Sequence, residues 1–193
     1  MLCGRRFTRR EERRRLEERT FTAREENYCL GNLNMAKVFE DYFTELQADM
    51  IDICMEYASD RADMIYIYCS FERGRPLANF FYVINGKAVR KNKLDDALSI
   101  EERKNFSYQI TDNMQKESID IIFKDIEKIQ VLCKEYNKEM PTEIKIVYDV
   151  KKNKMLADYK YDIIYTEDVL FYEPFDKWLE EIKKQCSQKG EIT

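Results

Sequence analysis

The sequence predicts an α+β domain of two layers, with helices covering one face of an antiparallel sheet of four to five strands. Three observations carry that expectation. Apolar residues recur at gaps of three and four over three long stretches, and alternate with polar ones over several short stretches. The short stretches come in pairs joined by turn residues, giving the order α-β-β-(β)-α-β-β-α. Glycine and proline are scarce (5 and 3) while tyrosine and phenylalanine are abundant (13 and 11), which suits a compact core better than a repeat or a disordered chain.

The first element is a helix from Val38 to Tyr57, with Phe39, Tyr42, Leu46, Met50, Ile53 and Tyr57 on one stripe. Asp60-Arg61-Ala62-Asp63 breaks the pattern. Met64 to Phe71, rich in β-branched and aromatic residues, reads as a strand with Ile65, Ile67, Cys69 and Phe71 on one face and Tyr66, Tyr68 and Ser70 on the other. Glu72 to Pro76 is the expected hairpin loop, and Asn79 to Ile84 the returning strand. Asn85-Gly86 is a turn, and Lys87 to Arg90 a short third strand. After a charged connection with a helical turn near Ser99 to Glu102, Ile119, Ile122, Ile126, Ile129, Cys133 and Tyr136 mark the second long helix, stopped before Pro141. Ile144, Ile146, Tyr148 and Val150 alternate in one strand; Met155, Ala157, Tyr159 and Tyr161 alternate in its hairpin partner across Lys151 to Lys154. Pro174 opens a last helix whose apolar side is Phe175, Trp178, Leu179, Ile182 and Cys186.

Charge divides the chain at Met35. Residues 1–34 hold nine arginines, no lysine and six glutamates; residues 35–193 hold nineteen lysines, five arginines and 31 acids, a net of −7. Three organisational units follow: a leader (1–34), a single domain (35–186) and a short tail (187–193). The leader admits three readings: a phosphate-binding arginine-rich arm, a solvated marginal helix, or in-frame sequence upstream of a start at Met35. Purine-rich ribosome-binding sequence decodes largely as Arg, Glu and Gly, which favours the last, so no function is assigned to it.

Several chemistries are expected to be absent. Without histidine there is no Ser-His-Asp or Cys-His nucleophile and no imidazole base. The six cysteines show no C-x-x-C spacing, and Cys54, Cys69 and Cys133 sit in apolar periodic segments, so reduced, buried thiols are expected rather than disulfides or a metal site. Gly86-Lys87 lacks the upstream glycine of a phosphate loop. The chain reads as a non-enzyme with no cofactor, no metal and no small-molecule substrate. No apolar run approaches the ~20 residues that span a bilayer, and no apolar segment follows the basic N-terminus as in a secretory signal. A cytoplasmic location with no membrane partner is the expectation, and direct nucleic-acid binding by the domain is not expected.

What remains is surface chemistry. From Tyr161 to Glu181 the chain carries seven acids against Lys177 alone, threaded with aromatics. Tyr161, Asp162, Tyr165, Glu167, Asp168, Phe171, Tyr172, Glu173 and Asp176 are the candidate contacts with a basic protein partner, and the second sheet face with Tyr66 and Tyr68 is another candidate surface. Aromatics supply desolvated anchors and carboxylates steer a positive partner. The bland alternative is a solvated acidic face over core aromatics, which for Phe175 and Trp178 is the stronger reading.

The ordered pattern resembles the YezG family of bacterial antitoxin (immunity) proteins, partners of polymorphic toxins with an N-terminal LXG export domain. The likeness runs from Val38 to Lys184. It is carried by the opening amphipathic helix, the hairpin from Met64-Ile65-Tyr66-Ile67-Tyr68 through Phe80-Phe81-Tyr82-Val83, and the long charged helix. It continues through the hairpin from Glu143-Ile144-Lys145-Ile146-Val147-Tyr148-Asp149 to Asp158-Tyr159-Lys160-Tyr161-Asp162, and ends at Trp178. One departure is the lack of a glycine near Asn153. The resemblance implies a binder without turnover that silences a cognate toxin, often a nuclease, through its C-terminal domain. The other reading kept open is an acidic secretion chaperone that holds an exported protein.

Overall fold

The computed structural model describes residues 37–72, 75–163 and 172–190; the leader, and Tyr165, Glu167, Asp168 and Phe171 among the expected contacts, lie outside them. The chain is an α+β protein. Its elements are α1 (Phe39–Tyr57), β1 (Met64–Glu72), β2 (Arg75–Ile84), β3 (Lys87–Arg90), a 3₁₀ stretch (Lys91–Ala97), α2 (Ile100–Asn105), α3 (Asp112–Glu135), β4 (Glu143–Asp149), β5 (Lys154–Lys160) and α4 (Glu173–Gly190). The strands form one antiparallel sheet in the order β3-β2-β1-β4-β5. The last helix continues past Cys186 into the segment expected to be a tail.

The hairpins follow from local chemistry. Asn85 (φ 50°) and Gly86 (φ 72°) both take the left-handed conformation that a two-residue turn between β2 and β3 requires, so Ile84 pairs with Lys87. In the β4–β5 turn Asn153 itself adopts φ 50°, supplying the backbone geometry for which a glycine was expected. The Tyr148 hydroxyl donates to its side-chain oxygen at 2.6 Å. The first hairpin is longer than its sequence suggests: β2 begins at Arg75 and incorporates Pro76 opposite Phe71. The Phe71 N–H donates to the Thr142 carbonyl on the other side (2.9 Å), so Phe71 and Pro76 form a non-hydrogen-bonded pair. Proline's missing donor therefore points away from β1, beyond the reach of β3, and no ladder bond is lost.

The expected two-layer arrangement is corrected. Helices α1 and α3 cover the face bearing Ile65, Ile67, Phe80, Tyr82, Ile144 and Ile146, while α4 covers the opposite face. There Tyr66, Tyr68, Phe81 and Val83 pack beneath Phe175, Trp178, Leu179 and Ile182. Strands that are apolar on both sides must be covered on both sides. Tyrosine obscured that pattern, because an amphipathic ring at alternate positions reads as a solvated face.

The buried stripe of α1 is also rotated from the expected one. Phe43, Gln47, Met50 and Cys54 point inward, whereas Phe39, Tyr42 and Leu46 lie at its margin. Gln47 is tolerated inside because its amide donates to the Tyr159 hydroxyl at 2.8 Å. On α3 the unforeseen inward residue is Asp125, which is fully buried, with Lys128 reaching its Oδ1 at 2.7 Å. Burial pushes its pKa up to about 6; Lys128 opposes the rise and the nearby Asp49 charge on α1 adds to it. A carboxyl whose folded-state pKa is raised stabilises the fold when protonated. Its charged form costs stability in full above about pH 6, and that cost fades as the pH falls toward the unfolded value near 3.9. Asp125→Asn is therefore expected to raise unfolding stability at pH 7.5 by about 1–3 kcal/mol and to flatten its pH dependence between about 4 and 7. Urea unfolding at several pH values checks this, and a variant less stable than the parent at pH 7.5 would contradict it.

Candidate functional site

The structure separates the expected contact residues. Tyr66 and Tyr68 are not a surface: they are 8% and 0% exposed, with Trp178 standing edge-on to Tyr66 (centroids 5.4 Å apart) and Phe175 edge-on to Tyr68 (6.2 Å). Asp176 accepts from the Arg90 guanidinium at 2.8 Å, tying α4 to β3. Glu173 faces Lys177 at 3.5 Å one helical turn on, and Tyr172 is exposed at the start of α4. Tyr161 and Asp162 instead follow the end of β5, and Tyr161 enters a cleft made by the elements of the other sheet face.

That cleft has a volume of about 420 Å³ and opens to solvent. Phe39, Glu40, Phe43 and Thr44 from the first turns of α1 form one wall. Lys138, Glu139 and Pro141 from the loop after α3 form the second, and Tyr159 and Tyr161 the third. Three of the lining rings touch in sequence: Phe39 stacks on Phe43 at 5.4 Å and Phe43 meets Tyr159 edge-on at 5.5 Å, while Tyr136 outside the lining tilts against Phe39 at 5.7 Å. Phe39 and Tyr159 are only partly buried, whereas Phe43 behind them belongs to the core. Met50 and Cys54 further along α1 are sealed in the core.

Two features hold the site in shape. The Val38 N–H donates to Asp41 at 3.0 Å, closing the first turn of α1 and fixing the direction of Phe39. The Thr142 hydroxyl lies 2.7 Å from the Asp162 carbonyl and 3.0 Å from the Lys160 carbonyl, and the Thr142 N–H also donates to the latter at 2.7 Å. Tyr161 sits between those two anchored carbonyls. Thr142→Val removes the hydroxyl and keeps the shape. It is expected to cost about 1 kcal/mol of stability but to weaken any ligand of the cleft several-fold. Chemical denaturation and binding by the same variant separate the two effects; unchanged binding would show that Tyr161 needs no such anchor.

Electrostatics favour a cationic visitor. Glu40 and Glu139 at the cleft are exposed and make no ion pair among the described residues, and Asp162 is exposed nearby. A cation already rests on one of these rings, with Lys138 Nζ 5.7 Å from the centre of Phe39. Elsewhere the chemistry is muted. Among the described residues Cys54, Cys69 and Cys133 carry buried thiols and Cys186 a half-buried one, none of them in a disulfide. Burial pushes Cys69 up to about 12 and Cys54 well above its ordinary value, so neither supplies thiolate near neutrality. No group of three or more Cys, Asp and Glu among the described residues could hold a metal ion, and no helix among them is long and apolar enough to cross a membrane.

Sequence reasoning missed most of this site. In sequence Phe39 reads as part of the buried stripe of α1, and no pattern marks Phe43, Lys138, Glu139 or Pro141. The one available signal was Tyr159-Lys160-Tyr161, an alternating strand whose inward face runs on past the end of its partner. No known family's model matches the chain, and no curated protein matches it either.

Proposed function

We propose that the domain is a protein-binding inhibitor: an immunity protein that neutralises a cognate secreted toxin of nuclease type by covering a basic surface on it. The observation that carries this reading is the open aromatic cleft lined by two carboxylates that make no ion pair among the described residues, on a domain whose residues 35–193 bear a net charge of −7. Rigid aromatic faces provide anchor points that exclude water, and the surrounding acids accelerate encounter with a positive partner and reject phosphates. An acidic inhibitor of this kind places carboxylates where a nuclease would hold its substrate's phosphates. The Tyr159-Lys160-Tyr161-Asp162 close and the hairpin order that resemble the YezG family support the assignment to immunity rather than to another class of binder.

Affinity capture of the full chain, tagged at its C-terminus, tests the reading. The expected result is a partner held through a folded toxic domain whose activity returns when the complex is dissociated. Association is expected to slow as ionic strength rises. A partner held only through an unfolded or export segment would overturn immunity in favour of a secretion chaperone.

A further inference from the structure

We infer that the cleft between α1, the loop after α3 and the end of β5 is an arginine-binding pocket, seating a guanidinium carried on an extended basic segment of the partner. The partner's identity rests on the inhibitor reading; the chemistry of the pocket rests on the residues that line it. Four ring-bearing residues (Phe39, Phe43, Tyr159 and Tyr161) present π faces and edges to a space of about 420 Å³, room for one long side chain and some of its flanking backbone. Glu40 comes from α1 and Glu139 from the loop after α3, so two separate elements each bring a carboxylate to the lining.

Each alternative occupant conflicts with one of these features. A purely apolar side chain would strip water from the two carboxylates without pairing them, which is costly. A phosphate or a nucleic-acid backbone would meet two carboxylates against the single ammonium of Lys138. A cation satisfies both the rings and the acids, and Lys138 over Phe39 shows that a positive group is compatible with this lining. Between the two cationic side chains, the pocket suits arginine. A planar guanidinium stacks on an aromatic ring while its edge pairs with a carboxylate in a fork, and an ammonium cannot do both. Lys138, exposed and on the rim, then acts as a resident competitor for the Phe39 face.

The test uses the full chain, isotope-labelled, and three capped peptides: Gly-Gly-Arg-Gly-Gly, its citrulline counterpart and its lysine counterpart. Amide shifts are followed by nuclear magnetic resonance. The arginine peptide is expected to saturate with a Kd of order 1–10 mM. Its shifts are expected to be confined to residues 39–44, 138–141 and 159–161. Citrulline keeps the shape and loses the charge, and should bind at least about tenfold more weakly, with lysine in between. Glu40→Gln with Glu139→Gln should weaken the arginine peptide about tenfold, and Lys138→Ala should tighten it two- to threefold. Spectra unchanged outside the cleft establish that these variants fold. Equal binding of citrulline would make the cleft a neutral groove; equal binding of lysine, shifts elsewhere or no saturation would each overturn the assignment. No toxin enters this assay. A failure here beside successful capture removes the arginine pocket alone, and success here beside failed capture removes the inhibitor reading alone.

Discussion

Trp178→Ala is expected to lower the free energy of unfolding by about 3–5 kcal/mol, enough to leave a domain of this size marginal or unfolded at 37 °C. The second sheet face sets the size of the effect. Tyr66 and Phe81 lie cross-strand from one another with their rings stacked 4.6 Å apart, and Trp178 stands edge-on to both, at 5.4 and 5.3 Å. The indole is 9% exposed, and Lys145 Nζ lies 5.3 Å from its centre on the β4 side. Truncation forfeits the transfer energy of the ring, both edge-to-face contacts and the cation contact, and leaves a cavity between a helix and a sheet that cannot close on it. It also weakens the hold of α4, the helix that keeps the Tyr66 and Tyr68 face dry. Urea unfolding followed by circular dichroism measures the loss. Trp178→Phe, which refills part of the space, should recover about half of it. A loss below about 1 kcal/mol would mean that α4 does not seal this face.

The second large effect concerns binding. Tyr161→Ala combined with Glu40→Lys and Glu139→Lys is expected to weaken the complex with the toxic domain by about 100-fold or more while unfolding stability changes by less than about 1 kcal/mol. All three side chains are exposed, with Tyr161 at 49%, so the fold does not depend on them. The two reversals place ammonium groups where the partner's positive charge must come, which repels it as well as removing attraction. Tyr161→Ala removes the exposed ring of the third wall and leaves Tyr159. The single reversals should act mainly on the association rate and fade in high salt, and Tyr161→Ala mainly on dissociation. Affinity unchanged in the triple variant would move the interface away from this cleft.

The fold was legible where one residue type repeats at one period. Ile65, Ile67 and Cys69 announce β1, and Phe175, Trp178, Leu179, Ile182 and Cys186 announce the packed side of α4. Asn85-Gly86 announces its own turn by demanding positive φ at both positions. Legibility fails where a side chain is amphipathic or where a partner is remote. Tyr66 and Tyr68 look half-solvated in sequence and are core only because α4, more than 100 residues later, lies on them. Gln47 and Asp125 look like exposed faces of their helices; the Tyr159 hydroxyl and the Lys128 ammonium make their burial possible. Pro76 looks like a loop residue and is a strand residue, because its missing donor falls on the side β3 does not reach. The cleft is the extreme case. Its walls come from positions 39–44, 138–141 and 159–161, brought together by the sheet order and by the packing of α1 on α3. Tyr161 and Asp162, legible in the sequence as part of an acidic-aromatic run, mark only its edge.

The most direct test of the inhibitor reading is a titration of the partner's isolated toxic domain with the full chain, following the toxic activity itself. Suppression that is complete at one equivalent, and that needs about 100-fold more of the triple cleft variant, is the result predicted. Toxic activity persisting in the presence of saturating full chain would contradict it.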